Sequence, residues 1–193
     1  MRIIAGSLRR RTIEAPAGLA TRPTSDRLRE TLFNVLAPRM KDAAFLDLYA
    51  GSGAVGIEAL SRGAVQVTFV ERAPTALKVM RGNLEKLGVG EGFRIEASSV
   101  AAYLRRARPG VERGFDVVFL DPPYDASDEY RLALGLLGEA AAGLLAEGAV
   151  VIAEHRRKEV LNEEYGALQR TRLLLQGDAA LSFYAVIAPS ATE

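Results

Sequence analysis

The chain has 193 residues, of which 49% are hydrophobic and 25% are charged, and its formal net charge is +1. This length suits one domain with a small extension, and the lack of a long apolar run or of a signal peptide leads us to expect a soluble, cytoplasmic protein. The absence of cysteine excludes disulfides, thiolate metal sites and cysteine nucleophiles, and the single histidine, His155, is expected to be structural.

Basic residues are concentrated at the amino-terminal end. Residues 1–40 hold eight arginines and three acids, which gives +5, and the remaining residues hold 17 basic and 21 acidic side chains, which gives −4. This asymmetry favours contact between the amino-terminal end and a polyanion. A solvated basic face explains the charge equally well, so charge alone leaves both readings open.

Residues 1–40 are predicted to form a small extension. Two short strands, Met1–Ile4 and Arg11–Glu14, would pair around a Gly-Ser turn. A helix capped by Thr24 or Ser25 would follow and run to about Ala37, where the next residue is a proline. The more exposed side of this helix is expected to carry Arg27, Arg29 and Glu30.

Residues 41–193 are predicted to form an α/β domain in which apolar strands alternate with helices, as in a parallel sheet covered on both faces. Strands are predicted at Ala44–Tyr49, Gln66–Val70, Arg94–Ala97, Phe115–Leu120, Ala149–Ala153, Leu168–Leu175 and Leu181–Ile187. Helices are predicted at Val55–Arg62, Pro74–Leu87, Val100–Ala107 and Glu129–Ala142, with a short one near Lys158–Tyr165. The last two strands are too close in sequence for a crossover and should form an antiparallel hairpin.

A glycine motif directly follows the first of these strands. Gly51, Gly53 and Gly56 have the spacing Gly-x-Gly-x-x-Gly before a helix, and Glu71 ends the next strand 20 residues after Gly51. Glycines let the backbone approach a ligand, and an acid at this position can accept hydrogen bonds from ribose hydroxyls. The motif therefore predicts a nucleoside-containing ligand, and by itself it fits NAD as well as any other.

The sequence Asp-Pro-Pro-Tyr at 121–124 ends the fourth strand of the domain. Two prolines fix two φ angles and end the strand pairing, which makes a rigid elbow. Asp121, the Pro122 carbonyl and the ring of Tyr124 would offer two acceptors and a flat surface, which suit a planar group that bears an NH2.

Together these features favour S-adenosylmethionine over NAD, because Asp47 could engage a cationic amino group that NAD lacks. The interpretation is a methyltransferase that acts on an amino group. A DNA amino-methyltransferase, an NAD-dependent oxidoreductase and a non-catalytic RNA-binding module remain alternatives. Methylation at pyrimidine C5 is disfavoured, since that chemistry ordinarily needs a cysteine.

Several blocks of sequence resemble the RsmD family of bacterial 16S rRNA guanine-N2 methyltransferases over nearly the whole chain. The blocks are Arg-Ile-Ile-Ala-Gly at 2–6, Arg-Pro-Thr-Ser-Asp-Arg-Leu-Arg-Glu at 22–30, Leu-Phe-Asn at 32–34, Leu-Asp-Leu-Tyr-Ala-Gly-Ser-Gly at 46–53, Gly-Ile-Glu-Ala-Leu-Ser-Arg-Gly-Ala at 56–64 and Asp-Pro-Pro-Tyr at 121–124. The block from 22 to 34 is specific to this family. The resemblance implies a Rossmann-like class I fold with a seven-stranded sheet, an amino-terminal β-hairpin, and 2-methylguanosine in the small ribosomal subunit as product.

This chain departs from the usual family pattern at two places. The hairpin return is Arg9-Arg10-Arg11 where the family usually has Lys/Arg-Gly-Arg, and Ser99-Val100 stands where the family usually has Asp-Ala to hold the adenine amino group. Ser99 would replace a charged acceptor with a neutral one.

We expect a monomer that holds no metal. The sequence and the family resemblance together suggest three groups of functional residues. The catalytic residues would be Asp121, Pro122 and Tyr124. The residues that bind S-adenosylmethionine and its product S-adenosylhomocysteine would be Asp47, Tyr49, Gly51, Gly53, Glu71, Arg72, Ser99 and Asp121. The residues that contact 16S rRNA, in the small subunit or an assembly intermediate, would be Arg9, Arg10, Arg11, Arg22 and Arg27.

Overall fold

The computed structural model describes residues 1–15, 26–106, 114–123 and 127–187. The helices are α1 Asp26–Leu36, α2 Ala54–Ser61, α3 Pro74–Leu87, α4 Val100–Arg106 and α5 Ser127–Leu144, and a single 3-10 turn, Ala37–Arg39, follows α1. The strands are β1 Ala44–Leu48, β2 Gln66–Glu71, β3 Phe93–Ala97, β4 Phe115–Leu120, β5 Leu145–Arg156, β6 Glu164–Tyr165, β7 Leu168–Gln176 and β8 Ala179–Val186.

One mixed sheet organises these elements in the order β3-β2-β1-β4-β5-β8-β7-β6. The first five strands in this order are parallel, and β8, β7 and β6 pair antiparallel. The order reverses next to β1, which places a topological switch point between β1 and β4. The predicted α/β architecture with its antiparallel hairpin is therefore confirmed.

Both faces of the sheet are buried, which explains why its central strands are apolar throughout. Every residue of β1 is buried, because alternate side chains enter two different cores. Phe45 packs into the core on one face with α1, α2 and α3, whereas Leu46 and Leu48 pack into the core on the other face with α4 and α5.

The sheet has eight strands, so the expectation of seven strands is wrong by one. The short helix predicted near 158–165 is also wrong, because this described segment contains no helix. Its last two residues form β6, where Glu164 and Tyr165 pair with β7. The Tyr184 hydroxyl donates to the Asn162 carbonyl at 2.8 Å, and the Asn162 N–H donates to the Tyr165 hydroxyl at 3.1 Å. One long-range and one local hydrogen bond thus fix an irregular chain where helix propensity favoured a turn of helix.

The other predicted boundaries agree with the structure more closely. The α3 and β4 bounds are as predicted, and α2 is shifted by one residue at each end. By contrast, β5 is 12 residues long, against the five predicted. The predicted caps of α1 at 24 and 25 lie outside the described residues, as does the predicted end of α4 at 107.

The amino-terminal segment, residues 1–15, forms less regular structure than a two-stranded hairpin. The two predicted strands are reduced to one isolated antiparallel bridge between Arg2 and Thr12. Ile3 and Ile13 are nevertheless almost fully buried, and they belong to the core formed by α1, α2 and α3. Packing against the domain therefore holds this segment in place where strand pairing is short.

Two polar side chains of α2 attach the amino-terminal segment to the domain. The buried carboxylate of Glu58 accepts hydrogen bonds from the N–H groups of Ile4 at 2.8 Å and Ala5 at 3.0 Å. The Ser61 hydroxyl donates to the Ala5 carbonyl at 2.5 Å and accepts from the Leu8 N–H at 3.0 Å. These bonds satisfy backbone N–H and C=O groups of the amino-terminal segment, where strand pairing is limited to one bridge.

Arg29 is completely buried, so its predicted place on the exposed side of α1 is wrong. Its guanidinium donates to the Arg2 carbonyl at 2.5 Å and to Asp26 at 2.9 Å, and its Nε lies 3.8 Å from the Glu58 carboxylate. Burial lowers the pKa of Arg29, while Asp26 and Glu58 oppose that shift. Arg29 thus links α1, α2 and the amino-terminal segment, a role that helical periodicity alone does not reveal.

Among the described helices, none combines the length and the apolar character that crossing a lipid bilayer requires.

We predict that Glu58→Ala destabilises the protein by about 3–5 kcal/mol, because it removes one of the two carboxylates beside the buried Arg29 and leaves two N–H groups without an acceptor. Chemical denaturation of the variant checks this expectation. Glu85→Ala, which removes an exposed glutamate from α3, is the matched control and should change stability by less than about 0.5 kcal/mol. Equal stability of the two variants would contradict the role given to Glu58.

Candidate active site

A cavity of about 620 Å³ opens at the carboxyl ends of β1, β2 and β4. This is the edge at which open parallel sheets bind ligands, next to the switch point, and the volume suits a small molecule of nucleotide size. Seven residues of the predicted site line it: Asp47, Tyr49, Gly51, Glu71, Arg72, Ser99 and Asp121.

The loop between β1 and α2 turns sharply to present its backbone to this cavity. Gly51 and Gly53 have φ angles of 56° and 79°, in the left-handed region that favours glycine. Gly53 is not among the residues that line the cavity, and it lies at the turn into α2. A Cβ atom at Gly56 would lie 2.3 Å from the ring of Phe69, so this glycine lets α2 approach β2 closely.

Glu71 holds the glycine loop and the following turn together. One carboxylate oxygen accepts from the Gly51 N–H at 2.9 Å, and the other accepts from the N–H groups of Arg72 and Ala73, both at 2.7 Å. Carboxylate oxygens have further lone pairs, so Glu71 can still accept from a bound hydroxyl. The side chain predicted to bind ribose therefore also positions the glycine loop at the cavity.

Asp47 lies at the base of the cavity and is 2% exposed. Its Oδ2 accepts a hydrogen bond from the Gly56 N–H at 2.9 Å. Burial raises the pKa of Asp47 to about 7, the Gly56 N–H opposes this shift, and the charge of Glu71 adds to it. A buried acid of this kind favours a cationic ligand, which would stabilise its ionised form.

Tyr49 adopts a left-handed backbone conformation, with φ of 62°, which costs a residue other than glycine about 1–3 kcal/mol. Its hydroxyl donates to the Glu129 carboxylate of α5 at 2.8 Å. Burial, with a smaller contribution from Glu129, raises the pKa of Tyr49, so it remains a neutral donor at physiological pH. This bond joins the residue that follows β1 to α5, and both partners line the cavity.

Asp121 follows β4 and faces the cavity beside Asp47. Burial raises the pKa of Asp121 well above the ordinary value, and the charges of Glu154 and Asp47 raise it further. Pro122 is buried and Pro123 lines the cavity, so the elbow presents its second proline to this space. The predicted stacking residue at 124 lies outside the described residues.

Ser99 lines the cavity at the end of β3, as its predicted role requires. Its hydroxyl also accepts from the Ala102 N–H at 3.2 Å, which caps the first turn of α4. Arg72, which follows Glu71 in sequence, is exposed and also lines the cavity.

Sequence reasoning missed several residues that line the cavity, and two come from the amino-terminal segment. Met1 and Ala15 both line it, together with Glu129 and Leu132 of α5. No motif marks these positions, because a long-range packing arrangement brings them to the cavity. His155, by contrast, lies outside the cavity and is buried with its Nε2 2.9 Å from the Ser182 hydroxyl.

The arginines predicted to contact RNA separate into two groups. Arg9, Arg10 and Arg27 are exposed and line a second cleft on the amino-terminal side. The Arg11 guanidinium donates to the carbonyls of Leu87 at 2.7 Å and Lys86 at 2.8 Å, so it caps the carboxyl end of α3. Position 22 lies outside the described residues.

The strand order and the cavity at the carboxyl ends define a Rossmann-like α/β fold of the methyltransferase type. A solved structure described as "Putative methyltransferase yhhF from Escherichia coli" superposes with a TM-score of 0.81 at 33% identity, over 95% of this chain and 96% of that one.

The family model described as "Conserved hypothetical protein 95" matches residues 1–185, and the chain belongs to this family. The protein named "Putative rRNA methyltransferase YlbH" from Bacillus subtilis is 37% identical over 95% of this chain and 98% of its own length. Ribosomal RNA small subunit methyltransferase D from Haemophilus influenzae is 40% identical over 76% of this chain and 71% of its own length. The resemblance to the RsmD family is thereby confirmed.

We predict that, as the pH rises from 5 to 8, ligand-free Asp47→Asn loses about 3 kcal/mol less stability than the ligand-free wild type. The pKa of Asp47 is higher in the folded protein than in the unfolded chain, so its stabilising effect is present at low pH and disappears as the pH approaches 7. Denaturant titrations at several pH values test this. Asp128→Asn, at an exposed aspartate of α5, should follow the wild type, and parallel curves for wild type and Asp47→Asn would contradict the prediction.

Proposed function

We propose that this protein transfers a methyl group from S-adenosylmethionine to the exocyclic N2 amino group of a guanine in 16S rRNA, which gives 2-methylguanosine. The observation that carries the proposal is the position of Asp121, which faces the cavity at the end of β4, directly beside Asp47 and the glycine loop of β1. The names of the relatives support rRNA as the substrate class, and such a substrate would place the protein with the ribosomes of the cytoplasm.

The residues around the cavity fit S-adenosylmethionine. Glu71 offers carboxylate oxygens for the ribose hydroxyls, and the acid of Asp47 favours a cationic amino-acid moiety. Ser99 and Arg72 lie on the side where the base would bind. When bound, the cofactor would supply a methyl group on a sulfonium centre, with the neutral thioether of S-adenosylhomocysteine as the leaving group.

Asp121 and the elbow would orient the nucleophile. The amino group of guanine is a weak nucleophile because its lone pair is delocalised into the ring. Hydrogen bonds from its two N–H groups to the Asp121 carboxylate and the Pro122 carbonyl favour a pyramidal nitrogen whose lone pair points at the methyl group. Positioning both reactants in this way contributes several kcal/mol. After transfer, the nitrogen carries one excess proton, which Asp121 or solvent accepts.

The target guanine must leave its stack to reach the cavity, since a paired base in a helix is inaccessible. Tyr124 would stack on the exposed base and hold it next to Asp121. The amino-terminal extension, residues 1–40, would contact the surrounding RNA through Arg9, Arg10 and Arg27, with Arg22 as a further candidate. We keep Arg11 as a weaker candidate because its guanidinium already binds α3.

Transfer of labelled methyl from S-adenosylmethionine tests this function directly. Unmethylated small subunits, naked 16S rRNA and duplex DNA serve as parallel acceptors, followed by nucleoside analysis. We expect label in 2-methylguanosine from an RNA acceptor. Label in DNA, or in another nucleoside, would overturn the proposed acceptor while leaving methyl transfer intact.

We predict that Asp121→Ala lowers methyl transfer about 100-fold or more, because it removes an acceptor that orients the amino group. Binding of S-adenosylhomocysteine, measured by calorimetry, should remain within a few-fold of the wild type. Asp128→Ala, which removes a solvent-exposed aspartate a short distance along the chain, is the matched control. Retained activity in Asp121→Ala would exclude this residue from the mechanism.

A further inference from the structure

Glu154, near the carboxyl end of β5, is a buried acid to which the proposed mechanism gives no role. The residue is only 1% exposed. Its backbone is held on two sides, because it pairs with Leu181 of β8 and its carbonyl accepts a hydrogen bond from the Tyr130 hydroxyl at 2.9 Å. Burial of a carboxylate costs free energy, so a glutamate fixed at this depth requires a physical explanation.

The register of the sheet places Glu154 beside Asp121. Phe119 of β4 pairs with Ile152 of β5, the two strands are still paired one residue later, and both side chains enter the core with α1, α2 and α3. Adjacent strands lie about 4.8 Å apart, and side chains two residues apart point to the same face. Asp121 and Glu154 each follow two residues later, so their carboxyl groups meet at the carboxyl edge of the sheet.

The two acids interact electrostatically. Burial raises the pKa of Asp121, the charge of Glu154 raises it further, and the charge of Asp47 contributes less. Two like charges at one buried edge favour a state in which one proton is shared between them. His155 follows Glu154 in β5 and points to the other face of the sheet. The other ionisable groups among the described residues that line the cavity are Tyr49, Glu71, Arg72, Glu129 and the amino group of Met1.

We propose that Asp121 and Glu154 act as one acid pair, and that this pair, rather than solvent, receives the proton that the target amino group releases. The inference rests on the proposed function and deepens it, since it assigns a destination to that proton. Glu154 acts through Asp121 and does not touch the substrate, so it is a positioning residue.

The proposed step balances in atoms and electrons. The nitrogen lone pair forms the new N–C bond, and the electron pair of the broken S–C bond stays on sulfur. The nitrogen is then positively charged until one N–H proton passes to the Asp121 carboxylate, and the electron pair of that N–H bond restores the neutral amine. The positive charge that sulfur loses thus ends as a proton in the acid pair, where the charge of Glu154 stabilises it.

Carboxyl-carbon NMR of the ligand-free protein, labelled with ¹³C aspartate, tests the pair without requiring catalysis. The Asp121 signal is the one that Asp121→Asn lacks. We expect its titration midpoint in the wild type to lie above the value of about 3.9 for a free aspartate. The midpoint should fall in Glu154→Gln by more than in Asp47→Asn, because Glu154 has the larger effect. Glu154→Asp, which keeps the charge, should restore most of the difference.

The pH profile of single-turnover methyl transfer to unmethylated small subunits provides the functional readout. Glu154→Gln should lower the maximal rate about 10-fold, because Asp121 becomes a weaker proton acceptor. The acidic limb should move to lower pH, because Asp121 then ionises more readily. Glu147→Gln is the matched control for both measurements, since it removes an exposed glutamate from the same strand and should follow the wild type.

An ordinary Asp121 midpoint in the wild type would overturn the acid pair, and this result does not depend on whether Glu154→Gln folds. An unchanged midpoint in folded Glu154→Gln would also overturn it. So would a lower rate without displacement of the pH profile, which is what a merely structural role predicts. If the midpoints change as expected but the wild type transfers no methyl group to any acceptor, the proposed function fails while the acid pair stands.

Discussion

The parallel pairing of β1 with β2 and β4 is the constraint on which the site depends. Leu48 pairs with Val70 on one side and with Leu120 on the other, so the three strands end at one level. The glycine loop, Glu71 and Asp121 therefore reach the same cavity although 70 residues separate the first from the last. Apolar residues fill both faces below this level, which leaves the carboxyl edge as the place where acids can face a ligand.

The amino-terminal segment is joined to the α/β domain by core packing and by buried hydrogen bonds. Ile3 and Ile13 enter the core, and Glu58 satisfies backbone groups of the segment from α2, the helix that begins after the glycine loop. Arg29 joins this network to α1. These contacts fix the amino-terminal segment relative to the cavity, as the proposed contact of this segment with RNA requires.

Much of the fold could be predicted from local sequence patterns, and the predictions that were wrong failed for physical reasons. Apolar runs and glycines predicted the positions of β1, β4 and the glycine loop, because burial on both faces and tight turns restrict residue type. Helical periodicity predicted Arg29 at the surface, because the spacing of apolar residues contains no information about a buried carboxylate on another helix. For the same reason the contributions of Met1 and Ala15 to the cavity were not predictable, as they depend on contacts that are distant in sequence.

A crystal structure of the protein with S-adenosylhomocysteine tests the central claim, that the acids at the ends of β1, β2 and β4 form one site for methyl transfer. The account predicts ligand in the cavity, with ribose hydroxyls on the Glu71 carboxylate, the amino-acid moiety near Asp47 and the sulfur directed toward Asp121. Ligand bound outside this cavity, or with its sulfur directed away from Asp121, would contradict the account.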